Sequence, residues 1–298
     1  MKKGLILLSI FVVLAASAFA GGGAEAPLGS EDNPIVWSFV PSGELQEVAA
    51  GADEIARLLF EETGLYITTN VATEYAGVIE AMAADPPSAH MSALATFAYI
   101  QASDLGVAEA ARVAVRYGSA TYAGQIITRA DSGITSIADL KGKSFARPDP
   151  LSTSGWIIPM LTLQAEGIDP MNDIEVLDAG SHDSVVTAVY NGDVDAGATF
   201  DDARGNVDDE YPDVMEQVVV IATSAPIPND GVQFSPVVPM EIREQIIEAL
   251  LKISQTEEGK EALDIAYSWS ELIRRDDSFY DPFRQTLQRA GVEVTDIQ

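Results

Sequence analysis

The 298-residue sequence predicts an α/β fold with two lobes, each a mixed, mostly parallel sheet flanked by helices, joined by two crossover segments. Segments typical of strands alternate with segments typical of helices, which is the order that parallel sheets produce. The length and the 47% share of hydrophobic residues support one large or two medium-sized cores. Two extended stretches without a helix interrupt the alternation, and we take them as the connections between two lobes.

The first lobe is predicted from alternating elements that begin at Ile35. These elements are strands over 35–40, 66–71 and 91–94 and helices over 48–63 and 75–84. β-Branched and aromatic residues indicate the first strand, and apolar residues at helical spacing indicate the first helix, which Gly64 ends. A strand over 111–117 leads through residues 118–122 to another over 123–128 without a helix, as expected for a crossing.

We place the second lobe at residues 120–224, between the first-lobe segments 35–119 and 225–298. It contains strands over 144–146, 175–177, 196–199 and 218–222, a helix that begins near Ser154 and a helix over 183–191. Three prolines follow, Pro226, Pro228 and Pro236. Because proline lacks an N–H donor and has a fixed φ, they exclude a long helix and favour the return crossing. A helix over 240–254, a segment over 257–266 and a helix near 282–290 are placed back on the first lobe.

Residues 1–20 have the features of a secretory signal peptide, since Lys2 and Lys3 precede an apolar run and Ala20 ends a small-residue cleavage site. Residues 21–34 are small, polar and rich in glycine, and we expect a flexible leader there. The sequence has no cysteine, which excludes a lipid anchor at the cleavage site and any disulfide. These features indicate a periplasmic protein.

The formal charge of −29 excludes nucleic acid and anionic membranes as partners. It does not exclude a small anionic ligand, because exposed charges more than about 8 Å away are largely screened at physiological salt. Hydrogen-bond donors close to a ligand therefore outweigh the charge of the whole chain. We expect that charge to slow the capture of an anion, most strongly at low salt.

Residues 152–155 lie between a predicted strand and a predicted helix and contain three consecutive hydroxyls, Ser152, Thr153 and Ser154. The first N–H groups of a helix lack intrahelical partners, and the helix dipole favours negative charge there. Serine and threonine are also the preferred caps of any helix, which is the alternative explanation. One cap accounts for one hydroxyl, so three hydroxyls favour an oxyanion site.

Several motifs resemble segments of the periplasmic phosphate-, phosphite- and phosphonate-binding proteins of ABC importers and occur in the same order along the chain. They are residues 138–143, residues 149–155 with the three hydroxyls, residues 179–183 and residues 75–82, which begin with a tyrosine. The resemblance extends over most of the mature chain. It implies the type II periplasmic-binding-protein fold and transport instead of catalysis, with an ABC permease and its ATPase as partners. It also implies a monomer without cofactor or metal.

The resemblance further implies a ligand-binding set in the cleft between the lobes. This set comprises Tyr75, Tyr122, Ser152, Thr153, Ser154, His182 and Asp230. Tyrosine O–H and histidine N–H groups suit phosphoryl oxygens, and both rings offer apolar walls to a short alkyl group. Taken alone, the residues also fit structural roles, the two tyrosines in packing, His182 near a helix cap and Asp230 in a turn.

Asp230 is the hydrogen-bond acceptor of this set, and a carboxylate repels a fully ionised oxyanion in a cleft of low dielectric constant. We therefore expect it to select a ligand with a donor, such as an ammonium group or a P–OH, and to disfavour sulfate. Residues 91–99 depart from the Gly-Pro loop common in the family. They predict an unusual pocket wall at Ala93, Leu94 and Ala95, with Tyr99 in helix packing.

Other classes of function have weaker support in the sequence. A hydrolase would use Ser154, His182 and an aspartate, but the Gly-x-Ser-x-Gly motif is absent. Two histidines, no cysteine and no metal-ligand spacing disfavour a metal site. Two alternatives keep the fold and stay open: another small anion such as a sulfonate as ligand, and a ligand-sensing protein for a membrane receptor.

Overall fold

The computed structural model describes residues 26–294. The predicted signal peptide, residues 1–20, lies outside the described residues, as does the start of the leader. In the remainder of the leader, Gly29 N–H donates to the Asn33 carbonyl at 2.8 Å, and the Gly29 carbonyl accepts from Tyr66 N–H at 2.9 Å. This part of the leader, which the sequence predicts to be flexible, therefore forms a turn that is hydrogen-bonded to the first lobe.

The described residues form thirteen strands and nine α-helices, numbered in chain order. The strands are β1 Ile35–Phe39, β2 Ile67–Val71, β3 Met91–Ala93, β4 Glu109–Val115, β5 Thr121–Tyr122, β6 Gly124–Arg129, β7 Ser144–Arg147, β8 Glu175–Asp178, β9 Ala196–Phe200, β10 Val218–Thr223, β11 Ile227–Pro228, β12 Gly231–Phe234 and β13 Glu271–Ile273. The helices are α1 Leu45–Thr63, α2 Tyr75–Ala83, α3 Thr96–Asp104, α4 Ile158–Ala165, α5 His182–Asn191, α6 Val214–Gln217, α7 Met240–Ile253, α8 Glu257–Tyr267 and α9 Asp281–Arg289. None of these helices is long and apolar enough to cross a membrane.

Lobe 1 contains a six-stranded sheet in the order β13-β4-β12-β3-β1-β2. The first strand, β1, pairs in parallel with β2 and β3, as expected for strands connected through α1 and α2. The later strands β12 and β13 pair antiparallel with β4, and β12 also pairs antiparallel with β3. Strands from both ends of the chain therefore complete one sheet.

Helix α1 lies against α8 at very close range in lobe 1. A β-carbon at Gly51 would come within 2.5 Å of the Ala266 backbone nitrogen, so only glycine permits this approach. The buried face of α1 includes Val48, Ile55 and Leu59. This packing brings the start of α1 to the side of lobe 1 that faces lobe 2.

Lobe 2 contains a five-stranded sheet in the order β10-β6-β9-β7-β8. Strand β7 pairs in parallel with β8 and β9, whereas β6 pairs antiparallel with β9 and β10. Both sheets are mixed, as predicted. Their antiparallel share is larger than expected, because β6, β10 and β12 directly follow or precede the crossings and run against their neighbours.

The two crossover segments lie side by side. Strand β5 pairs antiparallel with β11, and Tyr122 lies opposite Ile227. The sequence predicted two extended crossings in this part of the chain, and the pairing joins them into a two-stranded ribbon. We keep the predicted lobe boundaries, 119/120 and 224/225, as a proposal, since β1–β4 and β12–β13 belong to one sheet and β6–β10 to the other.

Candidate ligand-binding site

A cleft of about 220 Å³ lies between the two lobes and the ribbon of crossover strands. All seven residues of the predicted set line it: Tyr75, Tyr122, Ser152, Thr153, Ser154, His182 and Asp230. They come from α2, the crossover strand β5, the start of α4, the start of α5 and the turn before β12. The fold thus brings residues as far apart as Tyr75 and Asp230 to one cavity.

The three hydroxyls lie at a π-helical turn, Thr153–Ile157, that runs directly into α4. Ser152 caps this turn, and its Oγ accepts from the Gly155 N–H at 3.2 Å. The Thr153 Oγ1 accepts from the Phe97 N–H of lobe 1 at 2.9 Å. A hydroxyl that accepts such a bond still has its own O–H to donate. Ser152, Thr153 and Ser154 are all buried, so these donors are shielded from solvent.

Gly155 fixes the shape of the turn. A β-carbon at this position would lie 2.3 Å from Pro148 Cδ and 2.8 Å from Ser152 Oγ. No real side chain fits at those distances, so the loop after β7 folds closely onto the turn only because residue 155 is glycine. The hydroxyls therefore have a tightly packed support.

His182 begins α5 and is buried between the hydroxyl turn and β9. Its Nδ1 lies 2.9 Å from Thr199 Oγ1, and its Nε2 lies 3.4 Å from Ser152 Oγ. Burial, with a smaller contribution from the charge of Arg116, lowers the pKa of His182 to about 3. The imidazole is therefore neutral at neutral pH, and it supplies one N–H donor and no positive charge.

The two tyrosines of the set remain protonated phenols. Burial, followed by the charge of Asp149, raises the pKa of Tyr75 well above its ordinary value. Burial, followed by the charge of Asp230, raises the pKa of Tyr122 to about 12, although a hydrogen bond with Ser154 lowers it in part. Both residues can therefore donate an O–H to an anion across the physiological pH range.

Arg116 is a residue of the cleft that the sequence did not reveal. Its Nη1 and Nη2 donate to the two carboxylate oxygens of Asp230 at 2.7 and 3.0 Å, and Trp269 Nε1 donates to Asp230 Oδ1 at 3.2 Å. Arg116 Nε also donates to the Tyr267 carbonyl at 2.9 Å. The charge of Asp230 is thus compensated, which offsets the repulsion of an oxyanion that we expected from a lone carboxylate.

The position of Arg116 in the sequence gives one indication that it belongs to the cleft. Arg116 follows the apolar residues 113–115 at the end of β4, immediately before the crossover segment, in a chain with 46 acidic residues. A charged residue that follows a buried apolar run at a lobe connection is a candidate for the cleft.

The predicted pocket wall is only partly realised. Among Ala93, Leu94 and Ala95, only Ala95 lines the cleft, and the other two are fully buried. The Leu94 N–H donates to the buried side chain of Gln233 at 2.9 Å, which holds this segment against β12. Tyr99 is buried in α3, where its hydroxyl donates to Asp277 Oδ1 at 2.6 Å, in agreement with a packing role.

Hydrogen bonds of the protein itself join the two lobes across the cleft. Three backbone N–H groups of lobe 1 donate to side chains of lobe 2: Tyr75 to Asp149 Oδ2 (3.0 Å), Phe97 to Thr153 Oγ1 (2.9 Å) and Glu44 to Asp183 Oδ2 (3.0 Å). In the opposite direction, the His182 N–H of lobe 2 donates to the Ser42 carbonyl of lobe 1 (3.2 Å). The structure therefore shows the lobes in contact on the cleft side.

Asp183 is the titratable residue in these contacts whose pKa is shifted into a physiologically useful range. Its other oxygen, Oδ1, accepts from Asn206 Nδ2 at 2.9 Å. Burial raises the pKa of Asp183 to about 6, despite the two hydrogen bonds that lower it. A carboxylate in the contact between the lobes thus titrates near neutral pH.

Comparison with known proteins identifies relatives of the same architecture. A family model described as "ABC transporter, phosphonate, periplasmic substrate-binding protein" matches residues 37–280. The phosphate-import protein PhnD of Mycolicibacterium smegmatis is 32% identical over 203 residues, 64% of this chain and 63% of that protein. The chain thus matches somewhat less than two thirds of the length of that relative. The phosphonates-binding periplasmic protein of Escherichia coli is 23% identical over 76% of this chain and 67% of that protein.

Two solved structures show the same fold. The binding-protein component of an ABC phosphonate transporter from Pseudomonas aeruginosa has a TM-score of 0.77 at 24% identity, over 87% of this chain and 88% of that chain. PhnD1 from Prochlorococcus marinus, solved in complex with methylphosphonate, has a TM-score of 0.76 at 13% identity, over 86% of this chain and 98% of that chain. The fold is therefore that of the type II periplasmic binding proteins. Because the family model matches most of the sequence, the chain belongs to the family of periplasmic substrate-binding proteins of phosphonate ABC transporters.

Proposed function

We propose that this protein is the extracytoplasmic binding component of an ABC importer that takes a phosphonate or phosphite-type oxyanion into the cleft and delivers it to a permease and its ATPase. The observation that carries the proposal is the convergence of three buried hydroxyls at a helix start with two protonated tyrosines. A tetrahedral oxyanion needs several donors that point to one place, and this cleft supplies them.

The donors of the cleft are almost all uncharged. His182 is neutral, and Arg116 is balanced by Asp230. The lining also contains four further carboxylates, those of Glu44, Glu47, Asp183 and Asp201, so the site has no net positive charge. The anion would be held mainly by dipoles and hydroxyls in a buried setting, where each hydrogen bond to a charged ligand contributes about 1.5–3 kcal/mol. The volume of about 220 Å³ suits a small ligand.

Asp230 is the basis of selectivity in this proposal. Its two oxygens accept from Arg116 and Trp269, but a carboxylate has about four lone-pair positions, so one is left for a ligand donor. A P–OH or the ammonium of an aminoalkylphosphonate supplies such a donor, whereas sulfate has none near neutral pH. One relative is named for phosphate import and another for phosphonates, so the proposed ligand class includes both.

Calorimetric titration of ligand-free, refolded protein tests the proposal. The panel is methylphosphonate, 2-aminoethylphosphonate, phosphite, phosphate and sulfate, and we expect at least one phosphorus oxyanion to bind more tightly than sulfate. Tyr122→Phe should weaken that binding about tenfold, because one buried donor is lost. Tyr66→Phe is the matched control, since Tyr66 lies outside the cleft. Failure of every phosphorus oxyanion to bind would overturn the proposal.

The proposal includes the location and the assembly state. We propose that residues 1–20 direct export to the periplasm, where the cysteine-free protein acts as a monomer without a lipid anchor. The N-terminal sequence of the exported protein and its size by gel filtration test these two points. A mature chain that still begins at Met1 would contradict the first, and a stable dimer would contradict the second.

A further inference from the structure

A second cavity, of about 670 Å³, lies in lobe 1 away from the cleft. It lies between α7, β4 and the segment that follows β13. Four arginines line it, Arg112, Arg243, Arg274 and Arg275, together with the carboxylates Glu109, Glu244 and Asp276. Four positive and three negative side chains give the lining a formal charge of +1, in a chain whose formal charge is −29. We refer to this cavity as the arginine groove.

Cations without a carboxylate partner are concentrated in the arginine groove. All Lys and Arg residues except Lys2 and Lys3 lie within residues 26–294, which is 15 of 17. Ion pairs within 4.0 Å engage eleven of these 15. The other four described cations are Arg112, Arg274, Arg275 and Arg289. Three of them line the groove. In a chain with 46 acidic residues, this clustering calls for a counter-ion from outside the chain.

Arg112 is the cation for which the missing counter-charge matters most. It is only 7% exposed, and its Nε is buried without a hydrogen-bond partner among the described residues. Its Nη1 donates to the Ala111 carbonyl at 2.8 Å. Burial, with a smaller contribution from the charge of Arg274, lowers the pKa of Arg112. A buried guanidinium whose Nε has no hydrogen-bond partner in the described part of the chain, and which a neighbouring cation repels, is stabilised when an anion binds beside the guanidinium group.

The carboxylates that line the groove leave these cations available. Glu109 is paired with Arg243, and Asp276 Oδ1 accepts from the Ser278 N–H at 3.1 Å and from the Ser278 hydroxyl. Glu244 forms no ion pair in the described part of the chain, and its charge only partly offsets that of Arg112. Arg274 and Arg275 are exposed and reach the groove from the loop after β13.

We propose that the arginine groove is a second anion site that binds a small multivalent oxyanion of the phosphate class through Arg112, Arg274 and Arg275. Guanidinium groups match the oxygens of a phosphate in a bidentate manner. A small anion enters the concave groove, where the local charge is positive, whereas the charge of the whole chain repels a nucleic acid or an anionic membrane. The site is separate from the cleft and does not depend on the function proposed for it.

Titration calorimetry with pyrophosphate at low ionic strength tests this site. The variant Arg274→Gln/Arg275→Gln changes two exposed side chains and should fold normally. We expect it to bind pyrophosphate at least about tenfold more weakly than the wild type, because two charge-assisted contacts are lost. Arg289→Gln is the matched control, because Arg289 forms no ion pair within residues 26–294 and lies outside the groove. It should bind pyrophosphate like the wild type.

Thermal unfolding gives a second, independent measurement. Pyrophosphate should raise the Tm of the wild type and of Arg289→Gln, but not that of Arg274→Gln/Arg275→Gln or Arg112→Met. The cleft variant Tyr122→Phe should keep the groove-dependent rise in Tm, which separates this site from the cleft. Equal pyrophosphate binding by the wild type and Arg274→Gln/Arg275→Gln would overturn the proposal, as would the absence of binding by the wild type. Neither result would affect the function proposed for the cleft.

Discussion

Arg116 and Asp230 form an ion pair beside the neutral donors of the cleft, and Arg116 is the one cation in the lining that the structure describes. Their side chains are 17% and 15% exposed, so each charge depends on the other for compensation. The pair also connects strand β4 with the turn before β12, close to both crossover segments. It therefore contributes both to the electrostatics of the cleft and to the stability of the connection between the lobes.

Arg116→Gln should lower the free energy of unfolding by about 3 kcal/mol, because it leaves the Asp230 carboxylate in a buried setting without its counter-charge. Urea denaturation followed by tryptophan fluorescence measures this loss. The double variant Arg116→Gln/Asp230→Asn should recover most of it. Arg129→Gln, which breaks the exposed pair with Asp131, is the control and should have a small effect. Equal stability of the single and double variants would contradict the role of the pair.

The seven residues of the predicted set lie in the cleft, and their sequence signals explain why they were identified. Most belong to short ordered motifs, and a run of three hydroxyls before a helix is unusual. Arg116 has no such pattern, and its partner is 114 residues away. Which carboxylate neutralises which cation depends on how the chain returns to lobe 1, and local sequence does not encode that contact.

Among the elements, the π-helical turn Thr153–Ile157 determines where the hydroxyls lie. The sequence placed the start of a helix near Ser154, close to the observed start. It did not indicate the π-helical form or the close approach of residue 155 to Pro148 in the loop after β7. The geometry of the three hydroxyls thus rests on a glycine that carries no functional group.

Gly155→Ala should shift the turn and reduce both stability and ligand affinity. Overpacking of this kind typically costs about 1–3 kcal/mol. The atoms nearest to the added β-carbon belong to the ring of Pro148 and to the Ser152 hydroxyl that caps the turn, and neither can move aside easily. Gly205→Ala is a matched control, since the nearest atom to a β-carbon there is Met215 Cε at 4.0 Å. Urea denaturation and calorimetry would measure both effects. Unchanged affinity in a folded Gly155→Ala protein would contradict this role.

Most strands and helices were predicted within a few residues of their observed bounds, but α3, β12, β13 and the four-residue helix α6 were not. Every residue of β12 is buried, so it shows no alternation of polar and apolar positions, and it lies among the prolines that indicated a crossing. Strand β13 has three residues. Helix α3 is buried on nearly all sides and has no amphipathic pattern. Burial on both faces removes the periodic signal on which sequence-based prediction depends.

At the scale of the whole molecule, the contact between the lobes is sensitive to pH through Asp183. Its Oδ2 accepts a hydrogen bond from the backbone N–H of Glu44, the residue before α1. The pKa of Asp183 is raised to about 6 from an ordinary value of 3.8. The folded protein therefore binds a proton more tightly at this site than the unfolded chain does. The resulting stability is fully present below pH 3.8 and is lost as the pH rises through about 6.

Asp183→Asn should remove this dependence on pH. As the pH falls from 7 to 4, the free energy of unfolding of the wild type should rise relative to that of the variant, by on the order of 2 kcal/mol. Urea denaturation of both proteins across this range gives the difference. The comparison is necessary because carboxylates with lowered pKa values, such as Asp195, act in the opposite direction. A constant difference between the two proteins would contradict the assignment.

In the transport function proposed above, the hydrogen bonds that join the lobes affect how well an importer can distinguish ligand-bound from ligand-free protein. Their donors and acceptors all belong to the protein, so they also favour closure of an empty molecule. A ligand shifts an equilibrium between open and closed shapes only by its difference in affinity for the two. We therefore expect the difference in the population of the closed form between ligand-bound and ligand-free protein to depend on contacts that only the ligand completes. The same contacts would then limit ATP hydrolysis without transport.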